Sequence, residues 1–163
     1  ESVSFKISDV TTKKIVRRNK KNRIEEIFSG QIICIYQFDE MKVSSGHLQV
    51  FEKEFLSNMA GWKAKHEIHT ENESFNSRFS VYASDEHNAY YILTPHRIEK
   101  IMSFADMVNG QVSLVFYDDK LFVAVRRESM FDAVTNEPVL SQTGKIEEDA
   151  DFIKIAKEIL VAQ

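Results

Sequence analysis

Cysteine, glycine and proline are scarce in this 163-residue chain, and the shortages exclude several classes of protein. The single cysteine, Cys34, cannot form a disulfide within the chain, so a disulfide-stabilised scaffold is excluded. The five glycines form neither a phosphate-cradling loop nor a Gly-x-Ser-x-Gly nucleophile elbow. No apolar run approaches the ~20 residues that a membrane-spanning helix needs.

Phenylalanine, by contrast, is abundant, with 12 residues in a chain that is 43% hydrophobic and 28% charged. These proportions are typical of a globular protein, and the length suits one domain. Cys34 lies in the apolar run 32–36, which we interpret as a strand covered on both faces. The thiol is therefore interpreted as a core residue and not as a reactive group.

Alternation of apolar and polar residues predicts the strands. The first strand is predicted over residues 2–10 and is expected to continue through Ile15 and Val16. The run 17–23 is typical of an exposed turn, and the next strand is expected over 24–38, with Gly30 marking a bulge or a close backbone approach. Further strands are predicted at 47–51, 65–70 and 80–83, a polar loop at 71–77, and a hairpin over 112–125 that turns at 117–120.

Two helices have clear local signals. Thr94 followed by Pro95 predicts the start of a helix over about 95–108, which Asn109 or Gly110 would end in a left-handed conformation. A second amphipathic helix is expected at 147–161, and Asp85 is predicted to cap a short helical turn. Hairpin-connected strands with two main helices predict a single α+β domain, with a mostly antiparallel sheet of about six to eight strands.

Positive charge is concentrated in one segment. Residues 13–23 carry seven basic side chains and no acid, so the other residues carry 14 positive and 25 negative charges, or −11, of the net −4. The segment is a candidate anion- or lipid-binding site, or a solvated hairpin tip that charge protects from aggregation. Nucleic acid is disfavoured because no aromatic residue is interleaved with the charges to stack on bases. The basic residues are Lys13, Lys14, Arg17, Arg18, Lys20, Lys21 and Arg23.

Candidate catalytic and metal-binding residues are few. His66 and His69 have half of a metal motif, but a strand would point them to opposite faces, so we expect no metal site and no cofactor. A catalytic alternative would assemble Asp85, Glu86, His87 and His96 around the helix starts. The competing interpretation is that these acids serve as helix caps.

Several stretches resemble the bacterial DUF3137 family. They are AYYILTP at residues 89–95 and VSLVFYDDKLFVAV at 112–125, with weaker likeness in IFSGQ at 27–31 and FSVYASD at 79–85. Asp119 stands where the family usually has glycine, and the loop 131–143 has no clear counterpart. The likeness covers most of the chain, from about Val3 to Leu160.

The resemblance implies a setting and no activity. Family members often carry hydrophobic, membrane-spanning segments ahead of this domain, and a fragment that begins at Glu1 would fit their removal. Because positive charge near a membrane tends to lie on the cytoplasmic side, we expect a soluble domain at the cytoplasmic face of a bacterial membrane. We expect a non-catalytic, membrane-tethered interaction or sensing module, whose partner is an anionic membrane surface or a protein.

Overall fold

In the computed structural model, the described residues are 4–18, 21–36, 47–56, 67–108, 110–127 and 151–156. They form one seven-stranded antiparallel sheet with helices packed on it, which confirms the predicted α+β class. The strands are β1 (Ser4–Arg18), β2 (Lys21–Tyr36), β3 (His47–Glu52), β4 (Glu67–Ile68), β5 (Phe79–Ala83), β6 (Gln111–Tyr117) and β7 (Lys120–Arg126). The helices are α1 (Glu73–Arg78), α2 (Glu86–Ile92), α3 (Pro95–Met107) and α4 (151–156), with a 3₁₀ helix at Lys53–Leu56.

The strand order is β1-β2-β7-β6-β3-β5-β4, with β1 at one edge of the sheet. The hairpin predicted over 112–125 is confirmed as β6–β7, and it lies near the centre of the sheet. Asp118 has a φ of 54°, the left-handed conformation that aspartate tolerates and that a tight turn between these strands uses.

The two faces of the sheet are buried to different degrees. Alternate residues of five strands contact α2, α3 and α4 in the main core, because side chains alternate between faces with period two. On the other face, Phe28, Phe51 and Phe55 form a smaller cluster. Cys34 lies on this second face and is half-buried, so the prediction of a fully covered strand and a core thiol is only partly correct.

Helix α1 corrects the prediction of a polar loop over 71–77. Asn72 caps the helix by accepting the backbone N–H of Phe75 at 2.9 Å. Phe75 is fully buried, and its ring stacks on Phe79 at 4.8 Å between centroids. One buried aromatic and one cap are therefore enough to hold a short helix whose other residues are polar.

The caps of α2 and α3 agree with their predictions. The Asp85 carboxylate accepts the N–H of His87 at 3.0 Å, and the Thr94 hydroxyl accepts the N–H of Arg97 at 3.3 Å. Arg97 is only 5% exposed and donates to the Ile92 carbonyl, and burial lowers its pKa.

The ends of other elements differ from expectation. Helix α3 ends with Val108 in an extended, not left-handed, conformation, and Asn109 lies outside the described residues. Of the strand predicted at 65–70 only Glu67–Ile68 pairs with β5, and of the helix predicted at 147–161 only 151–156 is described, as helix. The predicted loop 131–143 also lies outside the described residues. Within the described ranges, no helix has the length and apolar character that crossing a bilayer requires.

Candidate functional site

The β1–β2 hairpin extends beyond the rest of the sheet. β2 pairs with β7 over Gln31–Tyr36, whereas its residues 21–30 pair, among the described residues, with β1. We call residues 13–18 and 21–26 the arm. Its six residues per strand reach about 20 Å at the usual rise per residue. The arm is a two-stranded ribbon with most of its side chains exposed to solvent.

The predicted turn over residues 17–23 is too long, and residues 19 and 20 lie outside the described residues. Arg17 and Arg18 continue β1, and β2 already begins at Lys21. Of the seven basic residues in the site prediction, six therefore lie on the two strands of the arm, and Lys20 lies outside the described residues. A long ribbon spreads positive charge along its length, whereas a short turn would hold it at one point.

The strand register sorts the charges along the arm. Lys13 lies opposite Glu26, and Lys14 lies opposite Glu25, so acids near the base offset two of the lysines. Arg17, Lys21 and Arg23 lie further out, beyond both acids. Residues 13–26 contain seven basic residues and two acids, a net charge of +5, and the uncompensated charge is at the outer end.

Arg126 holds the base of the arm. Its Nη2 donates to the carbonyl of Ile27 at 2.8 Å, next to the register shift between Thr12 and Lys13. The same guanidinium lies over the rings of Phe28 and Phe55, 5.7 and 5.4 Å from their centroids. These cation–π contacts and the hydrogen bond connect the ribbon to the smaller core cluster.

Gly30 lets β2 pass close to β7, as its position in the sequence predicted. A Cβ atom at this position would lie 1.9 Å from the carbonyl oxygen of Val125. No side chain fits there unless the two strands separate, so glycine fixes the point where the ribbon joins the sheet.

A chain of three polar side chains, with a buried glutamine at its centre, lies beside this junction, and no pattern in the sequence indicates it. Gln31 is 0% exposed, and its Nε2 donates to Asp9 Oδ1 at 2.6 Å. Arg127 Nε donates to Gln31 Oε1 at 2.6 Å, and its guanidinium lies 4.7 Å from the ring centroid of Phe152 in α4. The arm's strands are thus connected to the C-terminal helix through one buried amide.

The residues of the catalytic alternative have separate roles. Asp85 caps α2, and Glu86 accepts the hydroxyl of Tyr90 at 3.2 Å. His87 is exposed. His96 lines a groove of about 180 Å³ on α3, which is smaller than the roughly 300–1,000 Å³ of typical ligand pockets. The other residues that line this groove are Glu99, Lys100, Ser103, Met107 and Ile155.

The histidines of the half metal motif are not brought together by the described structure. His69 is exposed after β4, and His66 lies outside the described residues. Within the part of the chain that is described, no three His, Cys, Asp or Glu side chains are placed to hold a metal ion.

Comparison with known proteins places the chain in a family. No curated protein matches it. Among solved structures, the mycobacterial trehalose monomycolate transport factor A, TtfA, is similar at a TM-score of 0.46 and 10% identity, over 92% of this chain and 73% of that chain. A family model described as "Protein of unknown function (DUF3137)" matches residues 24–161, nearly the whole chain, and the chain therefore belongs to the DUF3137 family.

Proposed function

We propose that this domain is a non-catalytic interaction module that binds the anionic surface of a bacterial membrane through its arm, on the cytoplasmic face. The observation that carries the proposal is the separation of charge. Residues 13–26, which include the arm, carry +5, while the residues outside this segment carry 14 positive and 23 negative charges, or −9. An anionic surface attracts the positive charge of residues 13–26 and repels the net negative charge of the other residues.

The length of the arm supports contact with an extended surface. It projects past the last strand pairing with β7, so its outer charges can reach a bilayer while the β2–β7 pairing stays about two Debye lengths away at physiological salt. Each Lys or Arg near such a surface contributes roughly 1 kcal/mol to binding. Arg17, Lys21 and Arg23 lie beyond both arm acids, so neither acid lies opposite any of them.

Nucleic acid fits this arm less well. Binding to single strands uses aromatic side chains on which bases stack, and residues 13–26 contain none. A duplex in a groove would also bring its phosphates close to the −9 body.

Vesicle flotation tests the proposal. We expect the protein to float with vesicles that contain phosphatidylglycerol and not with phosphatidylcholine alone. Lys21→Glu plus Arg23→Glu reduces the net charge of residues 13–26 from +5 to +1. At roughly 1 kcal/mol per basic residue, this should weaken binding by at least about tenfold.

A matched control separates the arm from net charge. Lys6→Glu plus Lys154→Glu makes the same change in total charge at two exposed body positions, and Lys6 pairs with Cys34 at the far end of β1. This variant should float as the wild type does. If both variants lose the same amount of vesicle binding, the binding site is not on the arm. The same conclusion follows if flotation of the wild type does not depend on phosphatidylglycerol.

A further inference from the structure

The arm carries an apolar pair among its charges. Ile15 and Ile24 lie directly opposite each other across the two strands, so their side chains share one face of the ribbon. They are 69% and 72% exposed. Single exposed isoleucines are common on proteins, but two that meet at the same point of a projecting ribbon form a small apolar patch.

On the same face of the ribbon, polar residues flank this pair both toward the base of the arm and toward its outer end. Lys13 and Glu26 precede it toward the base, and Arg17 and Asn22 follow it toward the outer end. Each neighbouring pair lies two residues along the strand, or about 7 Å away. The face therefore presents an apolar centre with a basic residue before it and another after it.

This order of groups matches the boundary of an anionic bilayer. Phosphate groups would meet Lys13 and Arg17, and the acyl boundary beneath them would accept Ile15 and Ile24. A second copy of the arm is a poorer occupant for the same patch, because two arms that each carry +4 would face each other.

We propose that Ile15 and Ile24 insert below the headgroups when the arm binds an anionic membrane. This inference rests on the proposed function and adds a binding component that salt does not screen. Electrostatic attraction weakens at about 0.5 M NaCl, where the Debye length is roughly 4 Å, whereas apolar insertion persists.

Threonine substitution isolates the apolar component. Ile15→Thr plus Ile24→Thr keeps β-branched residues, and with them the preference for strand, but removes the apolar side chains. We expect the variant to retain binding to phosphatidylglycerol vesicles at low salt and to lose about tenfold or more of the binding that remains at high salt. Circular dichroism and the unfolding midpoint of the variant report whether the fold is preserved.

Adjacent tryptophan substitutions locate the inserted face. Ile15 points to the proposed membrane face, while Val16 lies on the opposite face with Arg23. With phosphatidylglycerol vesicles that contain brominated lipid, Ile15→Trp should be quenched strongly and Val16→Trp weakly, after subtraction of the signal of the single native tryptophan. These two variants have the same net charge and replace neighbouring aliphatic residues.

The outcomes separate this inference from the proposed function. If the wild-type protein does not bind anionic vesicles, both the proposed function and the insertion of the isoleucines are overturned. Wild-type binding with equal quenching at the two positions, or with no effect of the threonine variant, would overturn insertion alone and leave electrostatic contact standing. A wild-type dimer in gel filtration that the threonine variant abolishes, without quenching, would assign the pair to a protein interface and overturn insertion.

Discussion

Glu52, at the end of β3, joins three elements through one carboxylate. Its Oε1 accepts Arg78 Nε from α1 at 2.7 Å, and its Oε2 accepts the backbone N–H of Val112 in β6 at 2.7 Å. The Glu52 side chain is 12% exposed. Arg78 also pairs with Asp106 on α3, whose side chain is 68% exposed. Burial alone would lower the pKa of Arg78, but Asp106 and Glu52 raise it above its ordinary value.

The two acids around Arg78 should therefore differ in their contribution to stability. Glu52→Gln leaves one acceptor oxygen for two donors, so we expect the free energy of unfolding to fall by about 1–3 kcal/mol. Asp106→Asn removes an exposed partner of the same arginine and should cost about 1 kcal/mol or less. Urea unfolding followed by circular dichroism measures the free energy of unfolding of both variants. Equal losses would show that the burial of Glu52 does not determine its contribution to stability.

At the scale of elements, the junction between the arm and the sheet depends on a single missing side chain. Gly30→Ala would place its Cβ against the Val125 carbonyl, so β2 and β7 must separate. We expect a loss of about 2 kcal/mol or more in the free energy of unfolding, together with faster amide exchange along the β2–β7 pairing.

Ser29→Ala is the matched control for this junction. Ser29 is the preceding residue of β2, and its hydroxyl hydrogen-bonds the Thr11 hydroxyl at 3.3 Å near the surface. Its removal should cost about 1 kcal/mol or less. If the two alanine variants lose the same stability, the close approach at Gly30 is not a constraint on the fold.

Elements with strong local signals could be predicted from the sequence. Helix α3 begins at a Thr-Pro cap, and the β6–β7 hairpin alternates cleanly on both sides of an Asp-Asp turn. Helix α1 was missed because only Phe75 among its residues is apolar and buried. The outer end of the arm has the composition of a turn because charged residues dominate 17–23, whereas strand pairing depends on the residues that lie opposite on the other strand.

The candidate site was predictable in composition and not in geometry. The seven basic residues are visible in the sequence, and the structure places six of them on the two strands of the arm. The pairing of Ile15 with Ile24 depends on the strand register, which the composition of 13–23 does not specify. The contact of Gln31 with Arg127 joins residues 96 positions apart, and no local pattern specifies such a partner.

At the scale of the whole molecule, charge is distributed between two regions of opposite sign. A protein with a sequence pI of about 5.8 is expected to pass through a cation exchanger at pH 7. Residues 13–26 carry +5 and the other residues carry −9, and the arm projects beyond the β2–β7 pairing, so a negative matrix can approach the arm ahead of the described sheet. We expect the wild-type domain to be retained on sulfonate resin at low ionic strength and eluted by NaCl.

Retention tests whether the arm is accessible in solution, independently of lipids. Lys21→Glu plus Arg23→Glu should flow through the column, whereas Lys6→Glu plus Lys154→Glu, which carries the same net charge, should still be retained. Because the two variants differ only in where the charge is removed, a difference between them must come from its distribution. Flow-through of the wild type would mean that the body's negative field extends over the arm, and an anionic membrane would then be repelled for the same reason.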